Sequence, residues 1–273
     1  MRTQAQKGCD FRGLHERDGA FIVPNPWDVG SARLLAILGF EALATTSGGS
    51  SFFAGQLDYM IGREQMLEHV SAMVLASDLP VSGDLENGFG NDPKTVAETI
   101  RLAAAAGLVG GSIEDATNRI DNPIYEHNLA VERVRAAAEA ARSLSFPFTL
   151  TARAENYFVG RHDLKDTINR LQAYQEAGAD VLFAPCLVTR DDIAAVVSSV
   201  DRPVNVLAGL QDFPLNFTEL SDLGVKRIST GSALSRAALG ALLRAVKEMQ
   251  EHGTFTFADQ AVSYRDISAM FGA

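Results

Sequence analysis

The sequence predicts one (β/α)₈ TIM barrel spanning residues 1–273. Three observations carry that expectation. Short apolar runs alternate with longer helical patterns along almost the whole chain. Several of the runs are apolar throughout, without the in–out alternation of a half-solvated strand, as expected of parallel strands covered by helices on both faces. A glycine recurs where each helical pattern gives way to the next run. The length of 273 residues suits a barrel of about 250 residues, and a doubly wound open sheet is the alternative arrangement of the same elements.

In chain order, the expected strands lie near 20–24, 41–46, 80–84, 109–114, 147–152, 180–184, 203–207 and 225–230, from AFIVP at the first to VKRIST at the last. The expected helices between and after them lie near 29–38, 63–77, 93–106, 129–143, 163–177, 190–199, 215–223 and 232–251. Gly39, Gly107, Gly178 and Gly224 each follow a helical run and precede a strand, where glycine suits the left-handed position beyond a helix end. No Pro/Gly-rich linker or shift in composition divides the chain. Residues 254–273, with Phe255, Phe257, Tyr264, Met270 and Phe271, carry more apolar surface than a free tail. They read as a segment that covers a partner subunit.

Composition excludes several function classes. Twenty-four basic against 34 acidic side chains give a net charge of −10, the wrong sign for neutralising nucleic-acid phosphates. No apolar run approaches the ~18 residues of a membrane span, and Met1 to Asp18 have no apolar signal-peptide region. The expected location is therefore the cytoplasm. Two cysteines, Cys9 and Cys186, cannot build a disulfide framework or a cysteine-rich zinc site.

A barrel enzyme places its chemistry on the loops that follow the strands, and the unusual residues of this chain collect there. Strand 2 is followed by Ser47-Gly48-Gly49 and then Asp58. Strand 3 ends in Asp84-Leu85-Glu86, strand 4 in Glu114-Asp115, and strand 5 in Arg153-Ala154-Glu155. In Asp84-x-Glu86 a period of two would set both carboxylates on one side of an extended segment, with Glu114 joining from the next strand. Crowded carboxylates need a cation or shifted pKa values, and an all-oxygen set favours Mg²⁺ or Mn²⁺ over zinc. Taken singly, each acid is more simply a helix cap or an arginine partner. Arg153 reads either as a guanidinium fork for a substrate carboxylate or as an ion-pair partner of Glu155 or Asp180. The Ser47–Gly49 turn could offer backbone N–H groups to an oxyanion.

These motifs, in this order, resemble the isocitrate lyase/phosphoenolpyruvate mutase superfamily over nearly the full length. Pro24-Asn25-Pro26-Trp27-Asp28-Val29-Gly30-Ser31-Ala32 is similar to its P-G-x-x-D-x-x-S-A segment. Leu57-Asp58 matches an aspartate after the second strand. Asp84 to Asn91 resembles D-x-D-x-G-Y-G-N, with Glu86 in place of the second aspartate. Ile113-Glu114-Asp115 matches I-E-D, and Ala152-Arg153-Ala154-Glu155 matches A-R-x-[DE]. The resemblance implies a (β/α)₈ barrel that makes or breaks C–C or P–C bonds beside a small 2-oxo acid. It implies Mg²⁺ (or Mn²⁺) held by Asp84, Glu86 and Glu114, directly or through water. Substrate would be bound by Ser47, Gly48, Gly49, Asp84 and Arg153, with catalytic roles for Asp58, Arg153 and Glu155. It also implies a homo-oligomer, a dimer or tetramer, whose subunits exchange a C-terminal helix.

One departure narrows the chemistry. The lyases of the superfamily carry K-[KR]-C-G-H after strand 4, and the phosphomutases a lysine followed by Asn or Ser. Here Ala116 to Asn128 contain neither Cys nor Lys. Decarboxylation needs no cysteine acid at the leaving fragment, so an oxaloacetate-decarboxylase-like lyase fits best. The alternatives are P–C chemistry (phosphonopyruvate hydrolysis or mutation) and a 2-oxo-acid-binding protein with little turnover. Lys7, Lys94, Lys165, Lys226 and Lys247 all lie away from strand ends, which disfavours imine chemistry. Cys186 after strand 6 reads as packing, and Tyr125 and His127 as solvated loop residues. Gly209 and Gly231-Ser232 are candidates for a phosphate site after strands 7 and 8.

Overall fold

The computed structural model describes residues 1–272. Eight parallel strands alternate with helices: β1 (Phe21–Val23), β2 (Leu43–Ala44), β3 (Val81–Asp84), β4 (Gly110–Glu114), β5 (Thr149–Arg153), β6 (Val181–Phe183), β7 (Val204–Leu207) and β8 (Arg227–Ser229). Strand order is β1-β8-β7-β6-β5-β4-β3-β2. The remaining gap is bridged by one backbone bond, Ala44 N–H to the Pro24 carbonyl at 3.1 Å. The architecture is the expected (β/α)₈ barrel.

The helices of the expected repeat are α2 (Val29–Ile37), α4 (Arg63–Ala76), α5 (Pro93–Ala105), α6 (His127–Arg142), α7 (Leu164–Ala177), α8 (Arg190–Ser198), α9 (Phe217–Asp222) and α10 (Ala233–His252). Their ends follow local chemistry. Asp28 and Ser31 form a reciprocal capping box at α2, Asp92 caps α5 with Pro93 inside its first turn, and Gly178 ends α7 at φ 109°. Each satisfies backbone groups the helix itself leaves open.

Two helices depart from the sequence reading. Helix α1 (Gln4–Glu16) has only two large apolar side chains to bury, too few for a helical stripe to show. Those two, Phe11 and Leu14, pack with Phe21, Val23, Ala42 and Val109, and α1 thereby closes the end of the barrel where the strands begin. Helix α3 (Ser47–Phe53) replaces the expected Ser/Gly turn. Glycine and serine lower helix propensity, yet the Thr46 side chain caps the Gly49 N–H and the segment is buried. The main core lies between the barrel and the helix ring, with Leu43, Met66, Met73, Ile100, Leu108, Ile113 and Leu150 fully enclosed.

After α10 come a short 3₁₀ helix (Thr256–Gln260) and α11 (Tyr264–Gly272). Within the single chain α11 lies on α2, where Arg33 donates to the Phe271 carbonyl at 3.1 Å. Leu242, Leu243, Phe255, Val262 and Tyr264 remain largely exposed.

Candidate active site at the carboxyl ends of the strands

The ends of β3, β4 and β5 meet in an ion cluster. Arg153, the last residue of β5, contacts three carboxylates at once: Asp84 Oδ1 at 2.9 Å, Glu114 Oε2 at 3.0 Å and Glu155 Oε1 at 2.8 Å. The Phe183 ring lies 5.3 Å from its guanidinium carbon. Register explains the meeting, because Glu114 is directly opposite Arg153 across β4–β5, and Asp84 is opposite Ser112 across β3–β4. Asp84 is fixed further by the Ser47 N–H at 3.0 Å, while its own N–H donates to Thr45 Oγ1 at 2.8 Å. Arg153 makes the ion pair of its second sequence reading, with three partners rather than Glu155 alone, and it still lines the cavity. Asp180 instead accepts the Leu150 N–H at 2.8 Å.

Behind the cluster, Asp115 accepts the Glu155 N–H at 2.8 Å, Arg170 at 3.1 Å and the Tyr174 hydroxyl. It holds β4, β5 and α7 in place and faces no cavity. Glu155 is fully buried and also lies outside the cavity lining. In this structure it holds Arg153 from behind.

A cavity of about 140 Å³ opens beside the cluster, lined by Ser47, Gly48, Asp58, Asp84, Arg153 and, from the far side, Asn205, Arg227 and Ser229 among others. Of the three amides expected to bind an oxyanion, Ser47 N–H is taken by Asp84 and Gly49 N–H by Thr46 Oγ1. Gly48 alone is left to face a ligand. A Cβ on Gly48 would come within 2.9 Å of Asp58 Oδ2, and one on Gly49 within 2.5 Å of Thr46 Cγ2. The first glycine brings the backbone close to Asp58; the second is required by packing.

Glu86 corrects the period-two expectation. Strand β3 stops at Asp84, and Glu86 takes a left-handed φ of 49°, so the two carboxylates do not share one face of an extended segment. Glu86 turns into a neighbouring depression with Tyr59, Arg63 and Asn87. It stays near enough that burial first, then the Asp84 and Asp58 charges, push its carboxyl up to about 8. Asp58 is raised by the same causes, burial ahead of Asp84. Burial also raises Glu114 and lifts Glu155 to about 7, against the pull of Arg153. Tyr59 lies beside Glu114, with its backbone at φ 64°.

Two of the acids carry carboxylate oxygens that no protein donor uses. Glu86 Oε1 and Glu114 Oε1 are buried and have no hydrogen-bond partner, which is what an ion or its water shell would satisfy. Among the described residues no three His, Cys, Asp or Glu side chains converge tightly enough to hold an ion alone. An all-oxygen set that needs water to complete it fits Mg²⁺, which keeps several waters.

The remaining expectations sort plainly. In the 116–128 loop, Tyr125 is buried and donates to Asn91 Oδ1 at 2.6 Å, stacked 4.1 Å from the Arg133 guanidinium; it is a structural residue, not a solvated one. Burial raises the Cys186 thiol, in keeping with packing. A Cβ on Gly209 would strike the Thr230 carbonyl at 2.5 Å, so that glycine serves close packing, whereas Gly231 and Ser232 do line the cavity.

Three cavity residues escaped the sequence reading. Arg227 donates from Nε to Asn205 Oδ1 at 2.8 Å, and Asn205 donates to Ser229 Oγ at 2.9 Å. The available signal was a polar residue inside an apolar strand, in PVNVL and VKRIST.

Known proteins fit this site and fold. Residues 11–250 match the model of the family described as phosphoenolpyruvate phosphomutase. A crystal structure from Burkholderia cenocepacia J2315, of a protein named only as a lyase/mutase, superposes with a TM-score of 0.98 at 62% identity, covering 99% of this chain and 98% of that one. The uncharacterized protein Rv1998c of Mycobacterium tuberculosis (strain ATCC 25618 / H37Rv) is 30% identical over 243 residues, 88% of this chain and 89% of its own. An oxaloacetate decarboxylase of Rhodopseudomonas palustris (strain BisB18) is 29% identical over 222 residues, 80% and 76% of the two chains. With its eight-stranded barrel and its acid–arginine cluster at the strand ends, the chain belongs to the phosphoenolpyruvate phosphomutase family, within the isocitrate lyase/phosphoenolpyruvate mutase superfamily.

Proposed function

We propose that the protein is a Mg²⁺-dependent carbon–carbon lyase acting on a small 2-oxo carboxylic acid, with an oxaloacetate-type decarboxylation as its reaction. The observation that carries the reading is the Arg153 cluster: one guanidinium bridges Asp84, Glu114 and Glu155 at the mouth of a small cavity. Buried carboxylate oxygens are left over beside it. The similarity to an oxaloacetate decarboxylase supports the same choice, as does a 116–128 loop without Cys or Lys.

Asp84, Glu86 and Glu114 would hold the metal, partly through water. When bound, Mg²⁺ supplies Lewis-acid polarisation of the 2-oxo and carboxylate oxygens. The chain's own residues do the rest. Arg153 keeps the carboxylates ionised and in place. The Gly48 N–H faces the substrate oxygens, while Ser47 anchors Asp84. Asp58, raised by burial and Asp84, lies beside Gly48 and would pass a proton to the enolate carbon left when CO₂ departs. The protein would act as a homo-oligomer in the cytoplasm, with residues 254–273 and the exposed Leu242 and Leu243 covered by a second subunit. Deleting 254–273 should lower the mass measured by sedimentation or precipitate the protein. Unchanged mass and melting temperature would remove that role.

The decisive test is calorimetric titration of pyruvate and oxaloacetate with and without Mg²⁺, alongside a CO₂-release assay. Mg²⁺ should raise affinity at least tenfold, and Asp84→Ala should abolish that gain and turnover together. Metal-independent affinity that survives in Asp84→Ala would defeat the reading, and binding without product would make the protein a 2-oxo-acid binder.

A further inference from the structure

We propose that Arg227, with Asn205 and Ser229, forms an anion subsite on the β7–β8 side of the cavity that receives a second acidic group of the substrate. The protein would then take a 2-oxo diacid in preference to a 2-oxo monoacid. The inference deepens the reading above and rests on it for the end of the substrate held near Asp84 and Gly48.

The argument begins with strand β8. Ile228 packs outward into the core beneath the helices, while Arg227 and Ser229, on either side of it, face the barrel interior and line the cavity. Arg227 is only 5% exposed. A cation so enclosed is expected to have a carboxylate partner. Arg227 has none among the described residues. Its Nε donates to the neutral Asn205 amide, and its Nη1 is buried without any acceptor. Arg153 shares the same cavity with three carboxylates around it, so its charge is already answered. Arg227 is the cavity's cation with its charge and donors still available. Burial, with Arg153 second, pulls its guanidinium down to about 9, as expected of a cation that lacks an anion.

Its orientation is also fixed in advance. Asn205 receives the Nε–H and is itself held by Ser229 Oγ at 2.9 Å. The guanidinium plane is thereby fixed, and its Nη edge, which has no protein acceptor, is left for two parallel N–H bonds to a carboxylate or phosphonate. A purely structural link between β7 and β8 would need no charge, since the Asn205–Ser229 bond already ties the two strands. An unpaired buried charge opposes folding; a function that needs it explains its presence.

The test uses the full-length protein with Mg²⁺ and four probes: pyruvate, oxaloacetate, phosphonopyruvate and malonate. Affinities and melting temperatures are compared for wild type, Arg227→Met and Arg227→Lys. Wild type should bind oxaloacetate or phosphonopyruvate at least tenfold tighter than pyruvate, and the tighter of the two names the acidic group. Arg227→Met should erase that preference, leave pyruvate affinity within twofold, and melt no lower than wild type without ligand. Arg227→Lys should recover part of the preference. Equal affinities in wild type and Arg227→Met, equal losses for monoacid and diacids, or lower unliganded stability in both variants would each overturn the subsite and leave Arg227 a structural residue. If no 2-oxo acid binds wild type but malonate stabilises it and not Arg227→Met, the lyase reading falls and the subsite stands. If malonate also has no effect, the subsite falls with it.

Discussion

Arg153 and Arg227 line the same cavity, yet Arg153 meets three carboxylates within 3.0 Å while Arg227 meets a single neutral amide. The wall built by β3, β4 and β5 is acidic, and its one cation is fully paired. The wall built by β7 and β8 is cationic and unanswered. Both arginines are largely enclosed, Arg153 with 13% of its side chain exposed and Arg227 at 5%; the difference is whether the fold supplies the counter-charge. Where it does, the arginine belongs to the scaffold as much as to the site. Where it does not, the missing charge points to a ligand.

The sharpest way to break that contrast is to make the same substitution on both walls. Arg153→Met strips three buried carboxylates of their cation, and breaking a buried pair costs about 3–5 kcal/mol. For a chain of this size a melting temperature falls roughly 2–4 °C per kcal/mol, so a loss on the order of 10 °C or failure to fold is expected. Arg227→Met should leave the melting temperature unchanged or raise it. Similar losses from both changes would erase the distinction between the walls.

The walls should also respond to pH in opposite directions. On the acidic wall, Glu86 has its folded pKa raised from 4.5 to about 8. The folded state then binds more protons than the unfolded one between those values. This contribution is fully present below pH 4.5 and is lost as pH rises through about 8, to a ceiling of about 5 kcal/mol at 1.36 kcal/mol per unit. Glu86→Gln removes the titration. Without Mg²⁺ the variant should match wild type near pH 4 and melt several degrees above it at pH 9. With Mg²⁺, wild type should regain the difference and the variant should not. Parallel pH profiles for the two proteins would show that Glu86 is an ordinary solvated acid.

On the opposite side, His15 of α1 lies edge-on between the Phe11 and Phe21 rings, its Nδ1 2.8 Å from the Phe11 carbonyl. Burial first, then the Arg227 charge, brings it down to about 3. Here the unfolded state binds the extra proton, so stability is present above pH 6.5 and is lost as pH falls toward 3. Between pH 6.5 and 5 the loss is about 2 kcal/mol. His15→Leu should flatten that limb, seen as a smaller difference in denaturant midpoint between pH 7 and 5. Relieving Arg227 of its charge should weaken the same limb, tying the floor of the barrel to its cationic wall.

Much of the acidic wall was legible in the sequence, and little of the cationic one. Asp84, Glu114 and Arg153 sit where apolar strands end in charge, a pattern that barrel geometry interprets directly. Glu86 was found for the wrong reason, because a left-handed φ of 49° cannot be read from the period of an extended segment. Arg227 opens β8 and Asn205 lies inside β7, both away from the carboxyl ends where charge was sought. Only the closure of the barrel shows that their faces look into a cavity rather than toward helices. Helices α1 and α3 were missed because one has a two-residue apolar face and the other begins Ser-Gly-Gly; tertiary burial overrides local propensity in both.

The smallest effect compares two hydroxyls, one on each wall. Tyr59 lies beside Glu114, an acid buried to 2% exposure. Ser229 Oγ accepts from the neutral Asn205 amide at 2.9 Å. Interactions with acidic groups contribute about 1.5–3 kcal/mol and neutral hydrogen bonds about 0.5–1.5 kcal/mol. Tyr59→Phe keeps the ring and the strained backbone at φ 64°, so it reports the lost hydroxyl alone. It should cost roughly twice as much as Ser229→Ala in denaturant unfolding. Ser229 lines the cavity, and a water there can replace its oxygen, which keeps its cost at the low end. Ser229→Ala should still loosen Asn205 and, through it, the aim of Arg227. Its effect should therefore be clearer on the preference for diacid over pyruvate, about two- to fivefold for a bond weakened by under 1 kcal/mol, than on the melting temperature. If Ser229→Ala proves the more costly in stability and leaves ligand preference intact, the β7–β8 wall is scaffold, and the contrast between the two arginines loses its functional meaning.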